Sequence, residues 1–149
     1  MITVGMIGGG RIGRVHAENM SKMRGVRIKS ISDIYIEPVK PWAQNLGIKH
    51  VTNCYQEIMR DEKIDAVFIC SPTQTHVSLI KKAAKAGKHI FCEKPISLNV
   101  EETFEALKVV KRYGVKLQIG FNRRFDPHFK RVHGVVQQGE IGDIHIVKI

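Results

Sequence analysis

Cysteine is scarce in this chain and its pattern is empty. Cys54, Cys70 and Cys92 form an odd set with no C-x-x-C spacing, which excludes a disulfide framework and suits a reducing cytoplasm. No apolar run reaches the roughly 18 residues of a membrane span. No charged stretch precedes the apolar start Met1–Val4, so no secretory signal is expected. There is no internal repeat and no low-complexity segment. Acidic residues are the minority, 14 against 24 Lys and Arg, for a net charge of +10. The basic residues are spread along the chain at the spacing of outward helix faces. Neither a zinc-finger spacing nor an aromatic RNA-binding signature accompanies them. The excess therefore reads as a solvated basic surface that attracts anions in general, with no nucleic acid, membrane or metal among the expected partners. With 149 residues, 43% hydrophobic and 26% charged, the chain lies in the globular range and is long enough to bury a core without staples.

What is present is an alternation of short apolar runs and helical patterns. Strands are predicted at Ile2–Ile7, Val26–Ser32, Lys49–Val51, Asp65–Cys70, His89–Cys92 and Lys116–Ile119. Helices are predicted at Arg11–Met23, Pro38–Leu46, Tyr55–Arg60, Gln74–Ala86, from Asn99 to about Tyr113, and Phe129–Gln138. Asn99 with Glu102 resembles a capping box, and Phe104, Leu107 and Val110 are expected to face inward. Residues 143–149 alternate and are β-branched, so a last strand is expected there. Strand–helix alternation with short links implies an α/β fold with a parallel sheet and helices on both faces.

Gly8-Gly9-Gly10-Arg11-Ile12-Gly13 is G-x-G-x-x-G between a predicted strand and a predicted helix, the context that makes this pattern informative. Gly8 permits the tight turn, Gly10 lets a pyrophosphate approach the backbone, and Gly13 lets the helix pack on the strand. Free N–H groups around Arg11 and Ile12, at the positive end of the helix, suit a diphosphate. Asp33 follows the second strand, 20 residues past Gly13. A carboxylate there accepts hydrogen bonds from ribose hydroxyls and repels a 2′-phosphate, so the expected cofactor is NAD on a Rossmann doubly wound parallel sheet.

Two further loops belong at the same edge of the sheet: Ser71-Pro72-Thr73-Gln74-Thr75-His76 and Glu93-Lys94-Pro95. A lysine at the mouth of a cofactor crevice is well placed to meet a substrate hydroxyl. Together with Gly120-Phe121-Asn122-Arg123-Arg124-Phe125-Asp126, these segments resemble the glucose-fructose oxidoreductase / inositol dehydrogenase / rhizopine catabolism family. The last segment, with Ile141-Gly142-Asp143, is most similar to its inositol branch.

The resemblance implies roles. Lys94 matches the family's catalytic lysine, which hydrogen-bonds the reacting hydroxyl and also touches substrate. Glu93 would lie near the nicotinamide ribose. Arg123 would reach a polyol or sugar, or else be a surface arginine at a helix start. Ser71, Thr73 and His76 would line the cofactor groove, with His76 equally a helix first-turn residue that meets no ligand. His16 reads as a helix residue behind the phosphate loop. Family members are about twice as long. Residues 1–142 are therefore expected to form the NAD-binding domain, and 143–149 to open a second α/β domain that is truncated here. That domain would supply the general acid/base and the contacts of a homo-oligomer. The implied activity is hydride transfer from a secondary alcohol of a cyclic polyol or sugar, myo-inositol foremost, to NAD. The alternative is a non-catalytic dinucleotide-sensing module of the same fold.

Overall fold

The computed structural model describes residues 1–148. Six strands form one sheet: β1 (Ile2–Ile7), β2 (Val26–Ser32), β3 (His50–Thr52), β4 (Ala66–Ile69), β5 (His89–Cys92) and β6 (Leu117–Ile119). Every pairing is parallel, and the spatial order is β3-β2-β1-β4-β5-β6. This is the doubly wound order whose direction of winding reverses between β1 and β4, the place where such sheets bind ligands.

The helices are α1 (Arg11–Ser21), α2 (Lys40–Asn45), α3 (Tyr55–Arg60), α4 (Thr73–Lys85), α5 (Val100–Tyr113) and α6 (Pro127–Gln137). Two separate apolar clusters show that helices cover both faces. Val4, Met6 and Ile31 pack with Ala17 and Met20 of α1 and Trp42 and Ala43 of α2. Ile7, Val67, Ile69 and Ile90 pack with Ile58 of α3, Ile80 and Ala84 of α4, and Ala106 and Val110 of α5. Successive residues of a strand point to opposite faces, so β1 feeds both clusters.

The register aligns the strand ends. Ile7 stands opposite both Ser32 and Ile69, Ile69 opposite Cys92, and Cys92 opposite Ile119. The next residue of each strand therefore emerges on one level: Gly8, Asp33, Cys70, Glu93 and Gly120. The segments singled out by their sequence meet at one edge of the sheet because the ladder puts them there.

Some expectations are corrected. Phe104 and Leu107 are 59% and 41% exposed, whereas Val110 is buried as expected, together with Ala106. α5 packs at the flank of the sheet and has only a narrow stripe to bury. Asn99 caps α5, its side chain accepting from the Glu102 N–H at 2.9 Å, but Glu102 does not return to Asn99. Its carboxylate takes the Ser97 hydroxyl at 2.6 Å, and Ser97 accepts from the Asn99 N–H. α6 begins two residues earlier than expected, with Pro127 in its first turn and Asp126 accepting from the N–H groups of His128 and Phe129; proline suits that position because its missing donor would have had no partner. A 3-10 turn, Asn122–Phe125, precedes it. Residues 143–148 form no strand. Nothing in the sheet lies beside them, and a strand is stabilised by cross-strand pairs. Ile149 lies outside the described residues.

Candidate functional site

The glycine loop is built by close approach. Gly8 has φ +98°, and a Cβ there would stand 2.5–2.6 Å from the Cys70 carbonyl and the Ser71 nitrogen. The positive φ and the contact both exclude a side chain. At Gly13 a Cβ would stand 2.1 Å from the Gly8 oxygen, so α1 sits directly on the turn that precedes it. Gly10 is the opposite case: a Cβ there would meet nothing within 4 Å. Its backbone faces open space above the β1–β4 edge.

α1 starts at Gly10 without a side-chain cap and with no acid in its first turn. Its leading N–H groups, those of Arg11 and Ile12 among them, are left for an external acceptor. An anion is the natural one, because the helix end carries partial positive charge. Asp33 stands beside this loop. Its Oδ2 accepts from the Gly9 N–H at 2.7 Å and its Oδ1 from the Tyr35 N–H at 2.9 Å. Each carboxylate oxygen has a second lone pair, so both can still receive a ribose hydroxyl. Capless helix, open Gly10 and an anchored carboxylate together fit a dinucleotide with a diphosphate and a free 2′-hydroxyl.

Across the switch point, Ser71 on the loop into α4 and Thr73 at its first position are half-buried. The Ser71 hydroxyl bonds the Thr75 hydroxyl at 2.6 Å, and Thr75 donates to the Pro72 carbonyl at 2.7 Å. Thr73 also borders a groove of about 300 Å3 between the starts of α4 and α5. His76 sits in the first turn of α4, as the second of its two expected readings had it. It is 1% exposed, with Nδ1 2.7 Å from the Pro95 oxygen and Nε2 2.8 Å from the Ser71 oxygen. Both ring nitrogens face carbonyl oxygens of the protein, so His76 is buried between two loops.

Glu93 is held more tightly than its sequence context suggests. Its Oε1 lies 2.7 Å from His16 Nε2, and its Oε2 accepts from the Lys94 N–H at 3.1 Å. Gly120 leaves room for it, since a Cβ there would approach the carboxylate to 2.9 Å. Lys94 follows on the exposed lip, joined to Pro95 by a cis peptide bond. It borders a cleft of about 390 Å3 with Phe121, Asn122, Arg123 and Arg124. The Arg123 guanidinium lies 4.7 Å from the Phe129 ring centroid and 3.7 Å from Asp126 Oδ2. Among the described residues no carboxylate pairs with the Lys94 ammonium. The thiols beside Glu93 stay protonated: burial first, then the Glu93 charge, pushes Cys70 up to about 12, as they do Cys92.

Sequence reasoning missed His16 and Gly120 as parts of this arrangement. The available signal for His16 was its place on α1, adjacent to Ala17 on the face that turns to the sheet.

The pattern of one oxidoreductase family, described by its NAD-binding Rossmann fold (GFO_IDH_MocA), matches residues 2–121. The chain belongs to this family. NAD is its cofactor, and a solved relative carries the same pairing: the scyllo-inositol dehydrogenase of Lactobacillus casei with bound NAD(H) and scyllo-inositol superposes with a TM-score of 0.90 at 35% identity. That match covers 97% of this chain and 43% of the other. An uncharacterized oxidoreductase of Bacillus subtilis, YrbE, is 52% identical over 99% of this chain and 43% of its own length. The myo-inositol 2-dehydrogenase of Thermotoga maritima is 40% identical over 98% of this chain and 44% of its own. The chain thus spans less than half the length of these relatives.

Proposed function

We propose that this chain is the NAD-binding part of a dehydrogenase that oxidises a secondary alcohol of a cyclic polyol, with myo-inositol to 2-keto-myo-inositol as the reaction. The observation that carries the reading is Lys94: an ammonium free of any carboxylate among the described residues, on the lip of a cleft beside Asn122, Arg123 and Arg124. The cleft opens after β5 and β6, at the same edge of the sheet as the glycine loop and Asp33. The relatives named for inositol oxidation support the substrate class.

Each residue has a task in this reading. Gly8, Gly10 and Gly13 shape the loop, the Arg11 and Ile12 N–H groups meet the diphosphate, and Asp33 meets the adenosine ribose. Ser71 and Thr73 line the path of the cofactor, and Glu93 lies beside the nicotinamide ribose. NAD, when bound, supplies the hydride acceptor. Lys94 donates a hydrogen bond to the reacting hydroxyl, and its charge stabilises the negative charge that develops on that oxygen as hydride leaves the carbon. The hydroxyl proton passes to a general base contributed from outside these 149 residues. Arg123 grips a second hydroxyl with its planar fork. Residues 1–142 are the NAD-binding domain, and 143–149 lead into a second domain that closes the pocket and joins the subunits of a cytoplasmic homo-oligomer. The sensing alternative has no observation of its own, and the free Lys94 counts against it.

The test is Lys94→Ala in the full-length protein. Turnover of myo-inositol should fall strongly while NAD affinity holds, because the interaction strengthens in the transition state. NAD affinity that collapses while turnover survives at saturation would make Lys94 a cofactor residue and overturn the reading.

A further inference from the structure

We propose that His76 is a positioning residue for Lys94, a clasp that fixes the turn carrying Lys94 onto the loop after β4. The proposal rests on the reading of Lys94 as catalytic.

The clasp is a matter of donors and acceptors. A carbonyl oxygen only accepts, so the imidazole holds the Pro95 oxygen by donating its Nδ1 proton to it, while Nε2 faces the Ser71 oxygen at 2.8 Å. The ring is 1% exposed, so its nitrogens find their partners within the protein. No buried side-chain nitrogen or oxygen among the described residues lacks a partner. A histidine that merely filled the core could take any acceptor nearby. This one faces the carbonyl of the residue directly after Lys94 and the carbonyl of the residue directly after Cys70, where the glycine loop packs at Gly8.

The effect on Lys94 follows from what else holds its turn. On the upstream side, the Glu93 N–H donates to the Ile69 carbonyl at 2.9 Å, and the Glu93 carboxylate takes His16. On the downstream side, Pro95 has no N–H to offer, so its carbonyl is the handle left to pin, and His76 Nδ1 pins it. Lys94 itself contributes only its N–H to Glu93 Oε2. Its backbone is thus fixed by its neighbours while its ammonium stays free to reach into the cleft. Without the clasp the downstream anchor is lost and Lys94 can swing relative to the β1–β4 edge. A displacement of about 1 Å at a reacting group costs on the order of 10²-fold in rate.

The test uses His76→Phe, which keeps a planar ring of similar size and removes both ring nitrogens, in the full-length protein beside Lys94→Ala. The expected result is a split. In His76→Phe, kcat per NAD-binding site falls about 10- to 100-fold, NAD affinity is retained, and the amide resonances of Glu93 and Lys94 shift. A folded, NAD-loaded His76→Phe with the parent kcat and unmoved Glu93 and Lys94 amides would overturn the clasp and leave His76 a structural residue. Should the variant not fold, the 15N resonances of the His76 ring in the unsubstituted protein decide: a protonated Nδ1 supports the clasp, and a bare Nδ1 facing Pro95 overturns it. Should Lys94→Ala keep its turnover, the catalytic reading of Lys94 fails by itself. The amide shifts and the Nδ1 proton then still report whether His76 holds that turn.

Discussion

His16 Nε2 lies 2.7 Å from Glu93 Oε1, so the helix that starts at the glycine loop is bonded directly to the residue before Lys94. The pair spans 77 positions of sequence. It ties α1, which opens at the glycine loop, to the turn that carries Lys94. The His16 ring is itself braced, with its centroid 5.0 Å from that of Phe91 and 6.0 Å from that of Phe68, both in edge geometry. Glu93 keeps only 15% of its side chain exposed, so it depends on this partner more than a surface carboxylate would.

Replacing His16 by Ala should therefore cost stability. One carboxylate oxygen loses its donor, and the aromatic pocket loses a ring. A buried group left without its hydrogen bond costs about 1–3 kcal/mol, and denaturant unfolding of His16→Ala should read a loss of that size. Gly120→Ala should reproduce part of it from the other side, by crowding the carboxylate away from His16. An unchanged unfolding midpoint in both variants would mean that the bond contributes nothing.

Much of this was legible in the sequence, and the reasons are local. β1, β2, β5 and α3 lie where their residues predict, because each is an apolar or periodic run bounded by turn residues. The glycine loop was legible for the same reason: one short segment carries the turn, the opening and the helix contact. The two histidine links were not. His16 and Glu93 are helix and strand-end residues of unrelated context, and only the shared level of the strand ends brings them together. His76 finds its partner in a backbone carbonyl, which leaves no trace in residue type. Phe104 and Leu107 follow the same helical period as Val110, and periodicity alone does not say how wide a stripe the neighbours can cover.

The three thiols should divide sharply. Cys70 is 7% and Cys92 0% exposed, and burial with the Glu93 charge pushes both up to about 12. The thiolate is the reactive form, so neither should react with an aromatic disulfide reagent near neutral pH. Cys54 is half-buried at the start of α3 and should be the single thiol labelled in the folded chain, with all three labelled after unfolding. Mass spectrometry locates the adducts, and a label on Cys92 of the folded chain would refute this.

Acid should weaken the chain partly through Asp61. The Lys29 ammonium beside it, bonded to its carboxylate, holds Asp61 below its ordinary value of 3.8. A carboxyl depressed in the folded state binds fewer protons folded than unfolded. Its contribution to stability is complete above the ordinary value and is lost as pH falls through the depressed one. Unfolding free energy should therefore drop as pH falls below that ordinary value of 3.8, and Lys29→Met should flatten the drop. Parallel profiles for the two proteins would show that the pair carries no pH dependence.

Asp33 should decide between NAD and NADP, and the structure gives it two separable tasks. Its Oδ2 anchors the glycine loop through the Gly9 N–H, and in the proposed reading its carboxylate meets the adenosine ribose at the 2′-position. A 2′-phosphate there meets a like charge and removes the hydroxyl that the carboxylate would receive, so NAD should bind at least about tenfold tighter, on the order of 1.4 kcal/mol. Asp33→Ala removes anchor and charge together, so NAD affinity should fall while the preference relaxes. Asp33→Asn keeps an acceptor for the Gly9 N–H and discards the charge; it should lose preference with less loss of NAD affinity than the Ala variant. Calorimetric titration of both cofactors into the three proteins separates the tasks, independently of turnover. Equal or tighter binding of NADP by the unsubstituted chain would show that the Asp33 carboxylate does not govern the choice. Equal NAD losses in the Ala and Asn variants would show that the loop anchor contributes nothing beyond the charge.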